Sequence, residues 1–397
     1  MAMATECRGR AEGRGRRGAT GSRMSGSSRV ASSRNWVWTR AAASNRGKTW
    51  KGSERVGRQR QVRARGFKFE DVSEEGVGVD ELDLFSPAKI NLFLRITKRR
   101  PDGFHELASL FQTIAFGDTM KISKLASNAL EDEILCSDPS VPCDKRNLVW
   151  KAADLFREKT GSTQKFKIDL RKEVPAGAGL GGGSGNAATM LWAANKLCDL
   201  DHGDPDLLEW SGDIGSDISF FFSSGTAYCT GRGEVVEDMP PALPSNYPII
   251  LIKPSSPLST AAVYKKLDVT KCSEADPEEL KRRFYQEALM ASSERKPCTE
   301  HPQQELCVND LELPAFEEMP ILLKAKEELI ASDKYASVFM SGSGSTLVCL
   351  GAHDLDENPS FEKETQDQDW LAVLTEPVNR TAGQWYEKSM ELRPVSK

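Results

Sequence analysis

Glycine is concentrated in one short segment of this chain, and that segment is the first candidate for chemistry. Six of the nine residues between positions 177 and 185 are glycine: Gly177, Gly179, Gly181, Gly182, Gly183 and Gly185. Because glycine has no Cβ, its backbone N–H groups can close around an anion, and the N-terminus of a following helix adds a favourable dipole. The segment therefore predicts a binding loop for a polyphosphate.

The residues on either side of the glycines predict the elements that position this loop. Upstream, Phe166, Ile168 and Leu170 alternate with charged residues, which is typical of a half-buried strand. Downstream, apolar residues recur at the spacing of one helix face: Ala187, Met190, Leu191, Ala194 and Leu197. The predicted unit is a strand, a glycine-rich loop and a helix.

Other glycine-rich sites fit this segment less well. No Gly-Lys-Ser/Thr sequence ends the run, which excludes the common P-loop. Gly177, Gly179 and Gly182 match the Gly-x-Gly-x-x-Gly pattern of dinucleotide sites, and Asp199 and Asp201 follow at a suitable distance. Those acids, however, fall at the end of the predicted helix and not after a second strand, so the match is misleading. An ordinary glycine-rich turn is a further alternative.

Two other segments carry polar residues in patterns suited to catalysis. Lys89 and Asn91 lie two residues apart in a strand-like stretch, so they share a face while Ile90 and Leu92 point into the core. An ammonium beside an amide suits an oxygen-rich ligand, although the same pattern also describes a surface lysine next to an edge asparagine. Asp217 precedes an apolar run, where its carboxylate could act as a base or cap a helix.

Together these segments resemble the motifs of a family of small-molecule kinases that includes galactokinase, homoserine kinase, mevalonate kinase and phosphomevalonate kinase. Residues 174–188 resemble its ATP-binding loop. Residues 86–106, 215–234 and 340–346 resemble, in the family's order, the other motifs of the branch that phosphorylates diphosphocytidyl-methylerythritol. Four motifs in order are much harder to meet by chance than one loop, so the chain is identified as a member of this family.

The resemblance implies an α+β architecture, the two-domain GHMP kinase fold, with the active site between the domains. Residues 80–245 would form a ribosomal-protein-S5-like, ATP-binding N-terminal domain. Residues 246–397 would form a ferredoxin-like C-terminal domain that ends in an acidic tail. The sequence agrees with this division, because four prolines within residues 240–248 indicate a boundary. The acidic residues 354–369 indicate a solvated loop.

The resemblance also implies roles for single residues. Lys89 falls on the family's catalytic lysine, which would polarise the accepting hydroxyl and hold Asp217 ionised. Asp217 would be the base for that hydroxyl, and Asn91 would contact the substrate. Ser216 and Ser219 stand where the commonest family form has alanine and proline, but neither change removes a reacting group.

For ATP, the resemblance implies a site built from Asn147 and the glycine-rich loop. The loop residues are Pro175, Ala176, Gly177, Ala178, Gly179, Leu180, Gly181, Gly182, Gly183, Ser184 and Gly185. Asn147 would contact adenine, but it could equally cap the helix that the periodicity predicts over residues 147–159. Ser184 could cap the next helix or reach phosphate and Mg²⁺, so ATP and Mg²⁺ are the expected cofactors.

The small-molecule substrate that the resemblance implies is cytidine diphosphate methylerythritol. Its cytosine ring needs an aromatic clamp and a polar contact at its edge. Phe104 and Tyr264 are predicted to sandwich the ring, with His105 reading its edge, and Thr260 lies in the same family segment as Tyr264. Ordinary helix packing of Tyr264 and a turn role for His105 are the alternatives.

Two alternative functions are weaker. A sister kinase acting on a sugar, homoserine or mevalonate would lack the segment at residues 101–105 that this chain contains. A catalytically inactive nucleotide-binding module would have no reason to retain Lys89, Asp217 and the intact loop together.

Positive charge is concentrated at the start of the chain. Residues 1–66 contain 15 Arg and 2 Lys against 3 Glu, a net charge of +14, whereas the whole chain carries −5. This segment is rich in Ser, Gly and Ala, which predicts a disordered organelle transit peptide over residues 1–70, with a basic nucleic-acid-binding arm as the alternative. Together with the resemblance, it implies a location in the plastid stroma and the plastid import machinery as a partner. The acidic remainder disfavours nucleic acid as a partner. No apolar stretch is long enough to predict a membrane span.

Short apolar runs predict the remaining elements. Strands are expected at residues 227–230, 249–252, 338–340 and 347–350. Residues 311–330 contain a helical stretch, and the polar residues 268–306 predict a helix with a loose insertion. The nine cysteines have irregular spacing without a Cys-x-x-Cys pair, so reduced thiols are expected instead of a zinc site or a disulfide framework.

Overall fold

The computed structural model describes residues 80–294, 302–351 and 370–387. The strands are β1 (Glu81–Arg99), β2 (His105–Lys124), β3 (Glu133–Cys136), β4 (Phe166–Arg171), β5 (Thr226–Thr230), β6 (Val235–Asp238), β7 (Ile249–Lys253), β8 (Ser337–Met340), β9 (Leu347–Leu350) and β10 (Leu371–Thr375). The helices are α1 (Leu148–Thr160), α2 (Gly182–Leu197), α3 (Asp204–Ser211), α4 (Thr260–Lys266), α5 (Pro277–Glu294), α6 (Glu312–Glu318) and α7 (Pro320–Ala331). The predicted disordered segment and the predicted acidic loop lie outside the described residues. Within them, no helix is both long and apolar enough to cross a membrane.

The first six strands form one sheet, in the order β3-β4-β2-β5-β6, with β1 also paired to β2. The strand predictions at residues 166–170 and 227–230 are confirmed by β4 and β5. The strand predicted around Lys89 and Asn91 is confirmed by β1, and both of its faces are covered, since every residue from Phe85 to Ile96 is buried. One face of this strand meets the second sheet, and the other carries Lys89 and Asn91 beneath the glycine-rich loop.

Helix α2 follows the glycine-rich loop, as predicted, and packs against α1 and β1. The five predicted core residues are buried, but so are polar or small residues around the rest of the helix, among them Asn186, Thr189 and Asn195. The helix is therefore central and not amphipathic. Packing on two sides, which a single-face periodicity does not predict, accounts for this burial.

The second sheet has the strand order β10-β7-β9-β8. Strands β7, β8 and β9 confirm the predictions at residues 249–252, 338–340 and 347–350. The predicted helical stretch is divided into α6 and α7 at Met319, because Pro320 has no N–H to continue the first helix and instead begins the second.

The chain returns to the first sheet after β10. Val378 N donates to Thr113 O at 3.0 Å, and the indole of Trp385 donates to Phe85 O at 2.9 Å. Val378, Trp385 and Tyr386 belong to the apolar core beneath α1 and α2. Strands β1 to β6 precede residue 245 and β7 to β10 follow it, whereas Val378, Trp385 and Tyr386 pack in the first core. The division into domains at residue 245 stays a prediction.

Candidate active site

The glycine-rich loop connects β4 to α2 and lies against two distant parts of the chain. Lys89 N donates to Leu180 O at 2.9 Å, and Ser341 Oγ donates to Gly179 O at 3.0 Å. A Cβ on Gly179, whose φ is +76°, would stand 2.2 Å from Ser341 O. Only glycine permits this approach, so the loop is held between β1 and the turn that joins β8 to β9.

That turn contains the second glycine motif. Gly342 and Gly344 have φ values of +57° and +87°, and Gly342 lies against Gly179. Asn309 secures the turn, because its Nδ2 donates to Met340 O at 2.6 Å and to Gly342 O at 2.8 Å. Asn309 is not among the predicted site residues, and the short polar run in which it lies does not indicate this contact.

The side chains of Lys89 and Asp217 lie close together in the site. Lys89 is only 3% exposed, which excludes the surface-lysine alternative. Its Nζ donates to Asn91 Oδ1 at 2.7 Å and lies 3.6 Å from Asp217 Oδ2 and 4.8 Å from the centroid of the Phe111 ring. The buried amine of Lys89 thus has an amide oxygen and a carboxylate as partners.

The carboxylate of Asp217 faces the site and does not cap a helix. The short 3₁₀ helix Ser219–Phe222 begins after Ile218, without a side-chain cap. Tyr264 lines the same cavity, and burial raises the pKa of its hydroxyl, with a smaller contribution from the charge of Asp217. An aspartate with 36% side-chain exposure beside a buried lysine can accept a proton from a bound hydroxyl.

These residues line one cavity of about 590 Å³. Most of the predicted site residues lie in its wall: Lys89, Asn91, Asn147, Pro175, Ala176, Gly177, Ala178, Gly179, Leu180, Gly181, Gly182, Gly183, Ser184, Asp217, Thr260 and Tyr264. Gly185, Phe104 and His105 are not part of the wall. Gly185 instead allows α2 to approach β1, since a Cβ there would stand 2.5 Å from Pro87 O.

The three aromatic residues predicted for the cytosine do not form an open clamp. The rings of His105 and Tyr264 are stacked, with centroids 5.5 Å apart, whereas Phe104 is 58% exposed beneath the guanidinium of Arg232. Burial lowers the pKa of His105, and the charge of Arg99 lowers it further. The imidazole is therefore neutral near pH 7 and offers one donor and one acceptor.

Asn147 and Ser184 were each predicted either to cap a helix or to contact the nucleotide, and the two residues have different outcomes. Asn147 caps α1, because its Oδ1 accepts from Val149 N at 2.9 Å, and it also lines the cavity. Ser184 is not the cap of α2, since that position belongs to Gly181. Its hydroxyl stands in the first helical turn at the cavity wall, where an anion would meet the helix N-terminus.

Sequence reasoning missed the anchor of the loop. Asp118 is fully buried, and its Oδ1 accepts from the N–H groups of Glu173 and Val174 at 2.8 and 2.9 Å. Its other oxygen pairs with Lys172 and accepts from Asn186, two residues that line the cavity. The available signal was an aspartate close after the apolar run of residues 114–116. Asp118 thus fixes the entry to the glycine-rich loop and places a cation beside it.

A family model and individual known proteins indicate the same family for this chain. A family model described as GHMP kinases N terminal domain matches residues 147–225. The chain is 44% identical over 348 residues to a chloroplastic 4-diphosphocytidyl-2-C-methyl-D-erythritol kinase of Oryza sativa subsp. japonica, covering 87% of this chain and 82% of that protein. It is 46% identical over 324 residues to the chloroplastic protein of that name from Arabidopsis thaliana, covering 80% and 79%.

Solved structures give the same result for the fold. A crystal structure of 4-(cytidine 5'-diphospho)-2C-methyl-D-erythritol kinase is 29% identical, with a TM-score of 0.58 over 74% of this chain and 99% of that one. A mevalonate kinase that is 12% identical has a TM-score of 0.52 over 75% of this chain and 100% of that one, so it shares the fold.

Proposed function

The chain belongs to the 4-diphosphocytidyl-2-C-methyl-D-erythritol kinases, which have the α+β fold of the GHMP kinases, and from this premise we propose its reaction in detail. It transfers the γ-phosphoryl group of ATP to the 2-hydroxyl of 4-diphosphocytidyl-2-C-methyl-D-erythritol, a step in the methylerythritol phosphate route to isoprenoid precursors. The observation that carries the proposal is the pair of Lys89 and Asp217, 3.6 Å apart in the cavity that the glycine-rich loop borders.

In this proposal Asp217 and Lys89 act on the accepting hydroxyl. Asp217 receives its proton while the oxygen forms a bond to the γ-phosphorus, and the bond from that phosphorus to the bridging oxygen of ADP breaks. Lys89 stabilises the developing charge on the hydroxyl oxygen and pairs with the carboxylate of Asp217. Because phosphoryl transfer has a loose transition state, positioning and charge neutralisation contribute more than the basicity of the aspartate.

The nucleotide is proposed to bind with its phosphates at the glycine-rich loop and its adenine near Asn147. Backbone N–H groups, the N-terminal dipole of α2 and the cation of Lys172 favour a polyphosphate there. Mg²⁺ would arrive with ATP and neutralise phosphate charge. The described residues hold no group of three His, Cys, Asp or Glu side chains that could bind a metal alone. The hydroxyl of Ser184 fits an ion that keeps phosphate and water as its other ligands.

The test is ATP consumption by the purified chain with five acceptor conditions: diphosphocytidyl-methylerythritol, galactose, homoserine, mevalonate and no acceptor. We expect turnover above background with the first alone, and a new phosphate ester at the 2-position in ³¹P NMR spectra. Turnover with another acceptor would identify a sister kinase. Nucleotide binding without turnover on any acceptor would identify a regulatory module.

The cytosine is proposed to bind at Phe104, His105 and Tyr264, with Thr260 nearby. Phe104→Ala should raise KM for the cytidine substrate by about 10-fold or more, because one stacked base is worth about 1–3 kcal/mol. KM for ATP should not change. Leu130→Ala removes another exposed apolar side chain, which lies outside the cavity wall, and should change neither constant. If KM rose for both ATP and the cytidine substrate, or if a uridine analogue were phosphorylated equally well, the cytosine would have to bind at a different site.

The plant relatives are named chloroplastic, so we place this chain in the plastid and propose that its N-terminal segment engages the plastid import machinery. Removal of residues 1–66 should abolish import into isolated chloroplasts but leave Tm and kcat unchanged, since this segment has too few apolar residues to offset its ordering entropy. Removal of residues 1–86 is the contrasting variant, because it takes away part of β1 and should lower Tm. A large loss of Tm in the shorter truncation would contradict the assignment.

A further inference from the structure

A chain of buried hydrogen bonds extends from Lys89 into the first sheet. Lys89 Nζ donates to Asn91 Oδ1 at 2.7 Å, and Asn91 Nδ2 donates to Ser109 Oγ at 2.8 Å. Ser109 Oγ in turn donates to Phe93 O at 2.5 Å. Ser109 is fully buried in β2, where it pairs with Leu94 of β1, and it is absent from the cavity wall.

The direction of this chain follows from the number of protons on a hydroxyl. Ser109 has one O–H, and the carbonyl of Phe93 accepts it. The hydroxyl therefore offers only lone pairs to Asn91, and these accept from the NH₂ group of the amide. An amide rotated by a half turn would direct its carbonyl oxygen at those lone pairs and leave a buried donor unpaired.

The orientation of Asn91 matters because the other side of its amide meets an ammonium. With the NH₂ group fixed on Ser109, Oδ1 accepts from Lys89, which lies between this oxygen and the carboxylate of Asp217. The reversed amide would direct an NH₂ group at the ammonium. Since Lys89 is buried, water cannot replace the lost acceptor at low cost.

We propose that Ser109 is a positioning residue for phosphoryl transfer: its hydroxyl sets the orientation of the Asn91 amide, and the amide sets the position of Lys89. The inference rests on the proposed function, because Lys89 acts there on the accepting hydroxyl. It adds a residue that touches neither substrate nor nucleotide.

Ser109→Ala in the full chain should lower kcat by about 10-fold or more, as expected when a reacting group is displaced, and should leave KM for ATP unchanged. Ser109→Thr keeps the hydroxyl and should retain most of kcat. Ser337→Ala is the matched control, because it removes another buried strand hydroxyl, in the second sheet, and should leave kcat unchanged.

A double-mutant cycle separates positioning from ordinary packing. Once Asn91→Ala has removed the amide, Ser109→Ala should cause no further loss of kcat, although it can still lower Tm. An equal loss of kcat in both backgrounds, or wild-type kcat in Ser109→Ala, would overturn the proposal. The cycle uses only Ser109→Ala, Asn91→Ala and their combination, so its result does not depend on whether Ser109→Thr folds.

A measurement that does not depend on turnover separates failure of the positioning role of Ser109 from failure of the proposed function. In protein labelled with ¹⁵N-asparagine, the NH₂ protons of Asn91 should exchange slowly with solvent in the wild type and in Ser109→Thr, and faster in Ser109→Ala. Unchanged exchange in Ser109→Ala would overturn the positioning role. If the NH₂ exchange of Asn91 becomes faster in Ser109→Ala but the protein phosphorylates no acceptor, only the proposed function is contradicted.

Discussion

Asp217→Asn is expected to lower kcat by about 10³-fold, within the range of about 10²–10⁴ that a positioned general base contributes. The amide keeps the size of the carboxylate but cannot accept the hydroxyl proton or balance the charge of Lys89. The Kd for ATP should stay within a factor of about two, because the nucleotide is proposed to bind at the glycine-rich loop. Single-turnover kinetics and nucleotide titration measure the two quantities.

Lys89→Met should reduce kcat similarly, and the double variant should lose less than the sum of both effects, because the two side chains act as a unit. Asp213→Asn is the matched control. It lies four residues earlier, and its carboxylate pairs with Lys159 at 2.9 Å, outside the cavity wall. Near-normal turnover in Asp217→Asn would disprove the catalytic assignment, as would an equal loss in the Asp213 variant.

Gly179→Ala should have the second largest effect, on both ATP binding and stability. A Cβ at this position would stand 2.2 Å from Ser341 O and 2.9 Å from Gly344 O, so the two glycine motifs would have to separate. We expect the free energy of unfolding to fall by about 3 kcal/mol and the Kd for ATP to rise by about 10-fold or more. Denaturant titration and nucleotide titration measure these changes.

Gly177→Ala provides an unusually close control. Gly177 has a similar left-handed φ of +65°, but its nearest neighbour would be 3.7 Å from the new Cβ. Its variant should therefore show only the backbone strain, about 1–2 kcal/mol. If the two variants behaved alike, strain and not the contact between the loops would explain the effect of Gly179→Ala.

Much of the local structure and of the candidate chemistry could be predicted from the sequence. Alternation and short apolar runs located β4, β5, β7, β8 and β9, because strand periodicity is a local property. The glycines and the following helix indicated a polyphosphate loop, and the motif order indicated the family. Lys89 and Asp217 were assigned through that resemblance, since their own patterns left a surface lysine and a helix cap open as alternatives.

The arrangement of the aromatic residues proposed to bind cytosine could not be predicted in this way. Residue types suggested an aromatic pair, but the stacking of His105 on Tyr264 and the exposure of Phe104 depend on how β2 and α4 approach each other. The burial of α2 on more than one side has the same origin. Periodicity reports one buried face and cannot show that a second element covers the other.

The sequence by itself therefore determined many of the elements, the glycine-rich loop and the residue types available for phosphoryl transfer. Only the tertiary structure decided which distant residues hold them: Asp118 at the loop entry, Asn309 at the glycine turn and Ser109 behind Asn91. It also brought Trp385, at the far end of the described chain, into the first core. These contacts join residues far apart in the chain, and their energy comes from satisfying buried polar groups and filling space, which no local pattern encodes.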